Sequence, residues 1–144
     1  MNREQFEALR DYEGKVIRGD VRFQGRQPGR PILTAGDIRI SNADEVDLRL
    51  HINLNTESTA VNITVSAPGT GPVCRLDIRH TVHGEAGRTH KHSLKTASDP
   101  KRNLPYAEER PDLEDFTPRQ AFDEFCRLAK IEFQGEWREP DDES

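Results

Sequence analysis

The chain has 144 residues, equal charged and hydrophobic fractions of 33%, and a formal net charge of −5. That length suits one domain with a single core, without a disulfide or metal staple. No apolar run approaches the roughly 20 residues of a membrane span and no signal peptide follows Met1, so the expectation is a cytoplasmic chain with no membrane partner. Cys74 and Cys126 are too few and too far apart for a disulfide framework.

The net charge hides an asymmetry. Between Arg75 and Arg102 there are seven Lys/Arg against three Asp/Glu, leaving fourteen against twenty-three elsewhere. A basic patch on an acidic protein fits an anion site such as a phosphate backbone, or equally a scatter of solvated surface charge.

Residues 1–13 read as a helix, capped by Asn2, with Glu4 and Glu7 at its positive end and Phe6, Leu9 and Tyr12 as a narrow apolar stripe. Gly14 ends it. Strand signals then fill 15–95. The first covers Lys15 to Phe23, and the second covers Ile32 to Ile40 with a break near Ala35-Gly36. Gln24 to Pro31 is a loop by its Gly and Pro content. Val46, Leu48, Leu50, Ile52 and Leu54 alternate with polar residues, and Thr59, Val61, Ile63 and Val65 repeat the pattern after a polar turn. This is the signature of half-buried strands in an antiparallel hairpin. Ala67 to Pro72 forms the next turn.

Val73 to Lys95 follows as a strand, a Gly-flanked turn and a return strand, and it holds four of the five histidines: His80, His83, His90 and His92. After it, 96–116 carries Pro100, Pro105 and Pro111 among charges and reads as a loop or lid. Thr117-Pro118 is an N-cap with proline at the first helical position, and Ala121, Phe122, Phe125, Cys126, Leu128 and Ala129 make one apolar face of a helix over 117–131. Ile131 to Trp137 adds a short edge segment, and 138–144 is an acidic tail. The expected fold is α+β: one domain, 1–144, with a single curved antiparallel sheet of six or seven strands between an N-terminal and a C-terminal helix.

The histidine hairpin is the candidate site, and its chemistry turns on register. Cys74, Leu76, Ile78, His80 and Val82 share the core side of the first strand, while Arg75, Asp77, Arg79, Thr81 and His83 share the other. A four-residue turn, Gly84 to Gly87, sets His83 opposite Arg88 and Arg79 opposite His92. The polar face then gathers His83, His90, His92, Arg79, Arg88 and Asp77. That set suits metal-independent RNA cleavage: one neutral imidazole takes the 2′-hydroxyl proton, a protonated one gives a proton to the leaving oxygen, and Arg79, Arg88 or Lys91 stabilises charge on phosphorus. A three-residue turn, Glu85-Ala86-Gly87, sets His80 opposite His92, and His80, His90 and His92 then suit a zinc-type site with an open position. A third reading makes the histidines ordinary residues of an exposed edge strand guarded by Lys91 and Lys95. His51 lies on the polar face of its own strand and joins the site only if that strand neighbours the hairpin. No Ser-His-Asp order, phosphate loop or Cys-x-x-Cys pair is present.

The run Arg75-Leu76-Asp77-Ile78, then His83 after four residues, then His90-Lys91-His92, resembles an uncharacterised bacterial protein family with an RLDI-type strand, a histidine at that offset and an H-x-H pair. Asp115-Phe116 and Ala121 to Leu128 look like its C-terminal helix. The turn before His90 is shorter here, and the family's Lys-x-Thr-Tyr-Gln stretch is absent. The resemblance implies His83 as the third histidine and a bacterial or phage setting. The helix, sheet and helix order is also similar to small ribonuclease toxins of the barnase and RelE type, a likeness of fold alone.

The leading expectation is therefore a toxin-like ribonuclease with no cofactor, using His83, His90 and His92 on RNA bound by Arg79, Arg88 and Lys91. The alternatives are a zinc-type protein using His80, His90 and His92, and a non-enzymatic protein whose 96–115 segment binds a protein partner.

Overall fold

The computed structural model describes residues 8, 11–25, 31–58, 60–67, 71–78, 90–93, 106–109, 111–113 and 115–139, with 90–93 and 106–109 placed as backbone. In chain order the elements are β1 (Lys15–Ile17), β2 (Val21–Arg22), β3 (Gln24–Gly25), β4 (Ile32–Ile40), β5 (Leu48–Asn55), β6 (Val61–Ala67), β7 (Gly71–Ile78), β8 (His90–Ser93) and β9 (Tyr106–Glu109). A 3-10 turn at Pro111–Leu113, helix α1 (Pro118–Leu128), β10 (Ile131–Phe133) and β11 (Trp137–Arg138) complete them. Most of the helix expected over 1–13 lies outside the described residues. No helix among the described residues is long and apolar enough to cross a membrane.

Period-2 alternation lays out the main sheet. On β5, Leu48, Leu50, Ile52 and Leu54 are buried, while Arg49, His51, Asn53 and Asn55 alternate with them. On β6, Val61, Ile63, Val65 and Ala67 take the buried side against Asn62, Thr64 and Ser66. Strands β3 to β9 pair antiparallel in sequence order as one seven-stranded sheet, so the expected α+β meander is present.

Between Ala35 and Ile38 the ladder of β4 slips, and Gly36 with Asp37 faces His51 alone. This two-against-one bulge is the break that Ala35-Gly36 suggested. Asp37 sits there at φ 53, in the left-handed region that short polar residues tolerate.

Among the described residues, α1 covers the apolar face. Thr117 caps α1: its Oγ1 accepts the Gln120 N–H at 3.2 Å and Gln120 Oε1 accepts the Thr117 N–H at 2.9 Å. This reciprocal pair leaves fewer helix-end donors unmatched, with Pro118 at the first turn. Ala121, Phe122, Phe125 and Cys126 are buried towards the sheet. Phe122 stacks edge-on to Phe133 at 5.0 Å and lies 5.2 Å from Trp137, which meets Phe23 at 5.3 Å. Arg119 spreads over Phe133 and Trp137, 5.5 and 5.7 Å from their centroids.

Three features correct the sequence reading. Lys15 to Phe23 is two strands broken at Arg18-Gly19-Asp20, and both pair parallel with the chain's end: β1 with β10 and β2 with β11. The sheet is therefore not single, since these two-stranded pairs stand beside it. The stretch read as a loop or lid, 96–116, contains β9, which pairs with β8 along its whole length and extends the sheet past residue 95. Within the region read as an acidic tail, Arg138 belongs to β11 and pairs with Asp20 at 3.2 Å.

The break in the first strand has a local cause. Asp20 turns its carboxylate to accept the Glu136 N–H at 2.9 Å and the Arg138 guanidinium. Gly19 passes so close to Gly135 that a Cβ on Gly135 would lie 2.0 Å from the Gly19 carbonyl oxygen. Gly135→Ala must push these backbones apart, and a loss of about 1–3 kcal/mol in urea unfolding is expected from such overpacking; a variant as stable as the parent would refute this contact.

The backbone bond from Glu136, with Arg138 adding, holds the Asp20 carboxyl below its ordinary 3.8. A depressed folded value means that the stabilisation is present above the unfolded pKa and is lost as pH falls through the folded one. Asp20→Asn should therefore be less stable than the parent at neutral pH, with the gap closing as acid takes the pH below 3.8 and through the depressed folded value. A gap unchanged by acid would exclude the carboxylate as its source.

Candidate functional site

The side of the sheet away from α1 is polar, and pairing aligns its residues in rows across the strands. One row runs Thr34, Asn53, Asn62, Asp77, His90 and Glu109, from β4 to β9. The next runs His51, Thr64, Arg75, His92 and Ala107. Residues directly opposite on antiparallel strands share a face, with Cβ atoms about 5 Å apart.

The middle of the first row is a hydrogen-bonded network. Thr34 Oγ1 donates to Asn53 Oδ1 at 2.9 Å, and Thr64 Oγ1 donates to Asn62 Oδ1 at 3.2 Å. Asn62 Nδ2 donates to Asp77 Oδ1 at 2.5 Å, and Arg75 Nε lies 3.1 Å from Asp77 Oδ2. Asp77 is 2% exposed although it points away from the apolar core. A charge removed from water needs partners, and here one comes from β6 and one from two residues back on β7.

β8 brings two of the predicted histidines to this network. His90 occupies the position opposite Asp77 and His92 the position opposite Arg75. Neither expected hairpin register is the one adopted: Arg75, rather than Arg79 or His80, stands across from His92. Relative to the four-residue turn the pairing is displaced by an even number of positions, which keeps His90 and His92 on the side of Arg75 and Asp77. Relative to the three-residue turn it is displaced by an odd number, which reverses the face.

Lys91 stands opposite Leu76, on the side away from the two histidines. β8 is not an edge strand, because β9 pairs beyond it. His80, His83, Arg79 and Arg88 lie outside the described residues. Among the described residues, no group of three or more His, Cys, Asp or Glu is arranged to hold a metal ion.

His51 shares the row of His92 but lies three strands away, about 14 Å at ordinary strand spacing. Its ring serves the bulge instead. Asp37 donates its backbone N–H to His51 Nδ1 at 3.3 Å, which leaves the proton of the neutral ring on Nε2, 3.9 Å from Asp37 Oδ1. A cleft of about 460 Å³ beside the bulge is lined by Arg18, Asp20, Asp37, Arg39 and Ser41, and includes neither His90 nor His92.

The cysteines offer no nucleophile. Both are buried and outside any disulfide, and desolvation pushes the Cys126 thiol up to about 12.

Sequence reasoning missed Arg75, Asn62 and Glu109. Asn62 and Arg75 looked like ordinary solvent-side residues of alternating strands. Glu109 carried a usable signal, because Glu108-Glu109 in antiparallel order complements His90-Lys91. Compared with protein-family models, curated proteins and solved structures, the chain finds no match in any of the three.

Removing one partner of a buried ion pair strands the other. Asp77→Ala is expected to cost about 3–5 kcal/mol in urea unfolding, and Asn62→Ala about 1–3 kcal/mol. The double variant should cost less than the sum by at least about 0.5 kcal/mol, since the two side chains touch. Strict additivity would mean that the Asn62–Asp77 bond contributes nothing.

Proposed function

We propose that this chain is a small metal-independent ribonuclease, toxin-like and of bacterial or phage setting, acting in the cytoplasm on the polar face of its sheet. One observation supports it: strand pairing sets two histidines, His90 and His92, side by side on a face that also holds a carboxylate and an arginine. Cleavage of RNA next to its 2′-hydroxyl needs one group to remove a proton, one to supply a proton, and positive charge near phosphorus. Imidazoles suit both proton transfers because their pKa lies near neutrality.

In this reading His90 and His92 exchange the protons and His83 is the third histidine of the site. Arg79 and Arg88 bind phosphate. Arg75, already engaged by Asp77, adds positive potential beneath them rather than a direct ligand. Lys91 is left out of the set by its position opposite Leu76.

The test uses the purified untagged chain, a single-stranded RNA and its DNA counterpart, with a chelator present. Cleavage of RNA but not DNA, ending in a 2′,3′-cyclic phosphate, is the expected result. His90→Ala and His92→Ala should each lower the rate at least about 100-fold, the scale of general acid–base catalysis. Intact RNA, or a double variant that cleaves as fast as the parent, would end the proposal. Activity that a chelator abolishes and zinc restores would transfer the site to the zinc reading.

A further inference from the structure

The geometry points to unequal protonation of the two histidines: His90 is the proton donor of the pair and His92 the acceptor. The names donor and acceptor rest on the ribonuclease reading, whereas the inequality itself rests on strand register alone.

The positions around His90 come from three strands. Asp77 stands opposite it on β7 and Glu109 opposite it on β9, while His92 lies two residues along its own strand. Arg75 is diagonal to it. Around His92 the order reverses: Arg75 and Ala107 stand opposite, and Asp77 and Glu109 are diagonal. Directly opposed positions are separated by about 5 Å and diagonal ones by about 7–8 Å. Among the described positions, therefore, the same three charged residues neighbour each histidine, but in exchanged places, with Arg79 and Arg88 lying outside the described residues. Two acidic residues occupy the positions opposite His90, and an arginine occupies one of the positions opposite His92.

A carboxylate within about 4–6 Å favours the charged imidazolium, and a cation at that distance favours the neutral ring. Asp77 is fixed in its place by Asn62 and Arg75, at 2.5 and 3.1 Å, so it can act as a positioning residue. Groups whose surroundings separate their proton affinities divide naturally into an acid and a base.

The step then balances as follows. Neutral His92 takes the proton of the 2′-hydroxyl as its oxygen bonds to phosphorus. The bond from phosphorus to the 5′-oxygen breaks, and that oxygen takes the proton of the His90 imidazolium. The products are a 2′,3′-cyclic phosphate and a 5′-hydroxyl, with His92 charged and His90 neutral. Proton exchange with water restores both.

The experiment is an NMR titration of the ¹⁵N-labelled full chain, following the imidazole nitrogens and assigning them with His90→Gln and His92→Gln. His90 is expected to titrate above His92 by on the order of one pH unit. Glu109→Gln and Asp77→Asn should each lower the His90 midpoint more than that of His92. Glu109, on the edge strand, keeps the test available if Asp77→Asn unfolds the chain. Coincident midpoints, the reverse order, or a His90 midpoint unmoved by Glu109→Gln would overturn the inference.

The two claims fail separately. A chain that cleaves no RNA but shows His90 above His92 loses the ribonuclease reading and keeps the unequal pair. A chain that cleaves RNA with coincident midpoints keeps the ribonuclease reading and loses this assignment.

Discussion

A carboxylate buried on the polar side of the sheet constrains this structure more than any single apolar contact. Asp77 is almost fully shielded, and Asn62 and Arg75, one at each of its oxygens, make that burial tolerable. Sliding β7 by one residue against β6 would carry Asp77 into the apolar layer and bring Leu76 and Ile78 out to the polar one. Exposing the two aliphatic side chains alone would cost about 3–6 kcal/mol, a large share of the roughly 5–15 kcal/mol that holds a domain folded. Register on β6 and β7 is thereby pinned from both faces, by Val61, Ile63, Leu76 and Ile78 on one side and by the Asn62–Asp77–Arg75 group on the other. Where β8 then pairs on β7, the positions of His90 and His92 follow.

The second constraint is the meeting of the chain's two ends. β1 and β2 are three and two residues long, too short to be stable alone. They persist because β10 and β11 lie alongside them, and because Val16 also exchanges backbone bonds with Ser41 at 2.8 and 2.7 Å. The aromatic group of Phe23, Phe122, Phe133 and Trp137 then closes the end of the core under α1. Asp20 and Gly135 permit the close crossing, one by matching an orphan N–H and the other by having no side chain.

How much of this the sequence reveals depends on how local the cause is. The alternation through β5 and β6 is visible because each residue reports its own face. Thr117, Pro118 and Gln120 announce the start of α1 because capping is settled within one turn. The Gly36 bulge is visible for the same reason. The parallel pairs were not, since strands of two or three residues carry no period and their partners lie more than a hundred positions away. The hairpin register was illegible for a different reason. Reading it from Gly84 to Gly87 lets the two glycines choose the turn, whereas the pairing of Asp77 with His90 and of Arg75 with His92 follows a register four positions away from that choice. Even so, the face of His90 and His92 matches one of the two alternatives, because face depends only on whether the displacement is even or odd.

β9 alters how the candidate site should be understood. Among the described residues, its four lie at the sheet edge and pair with β8 alone. Edge strands are the elements that open at the lowest free energy cost, because one side of their backbone is unpaired. Asp77, in contrast, sits among three paired strands. The two carboxylate positions beside His90 therefore differ in permanence: the one on β7 lasts as long as the fold, and the one on β9 lasts only while the edge is docked. Under the proposed assignment, detaching β9 would lower the proton affinity of His90 without moving either histidine. The segment 94–105 that leads into β9 then gains a reason to matter even if it touches no substrate. Whatever holds that edge in place would also govern how readily His90 keeps its proton.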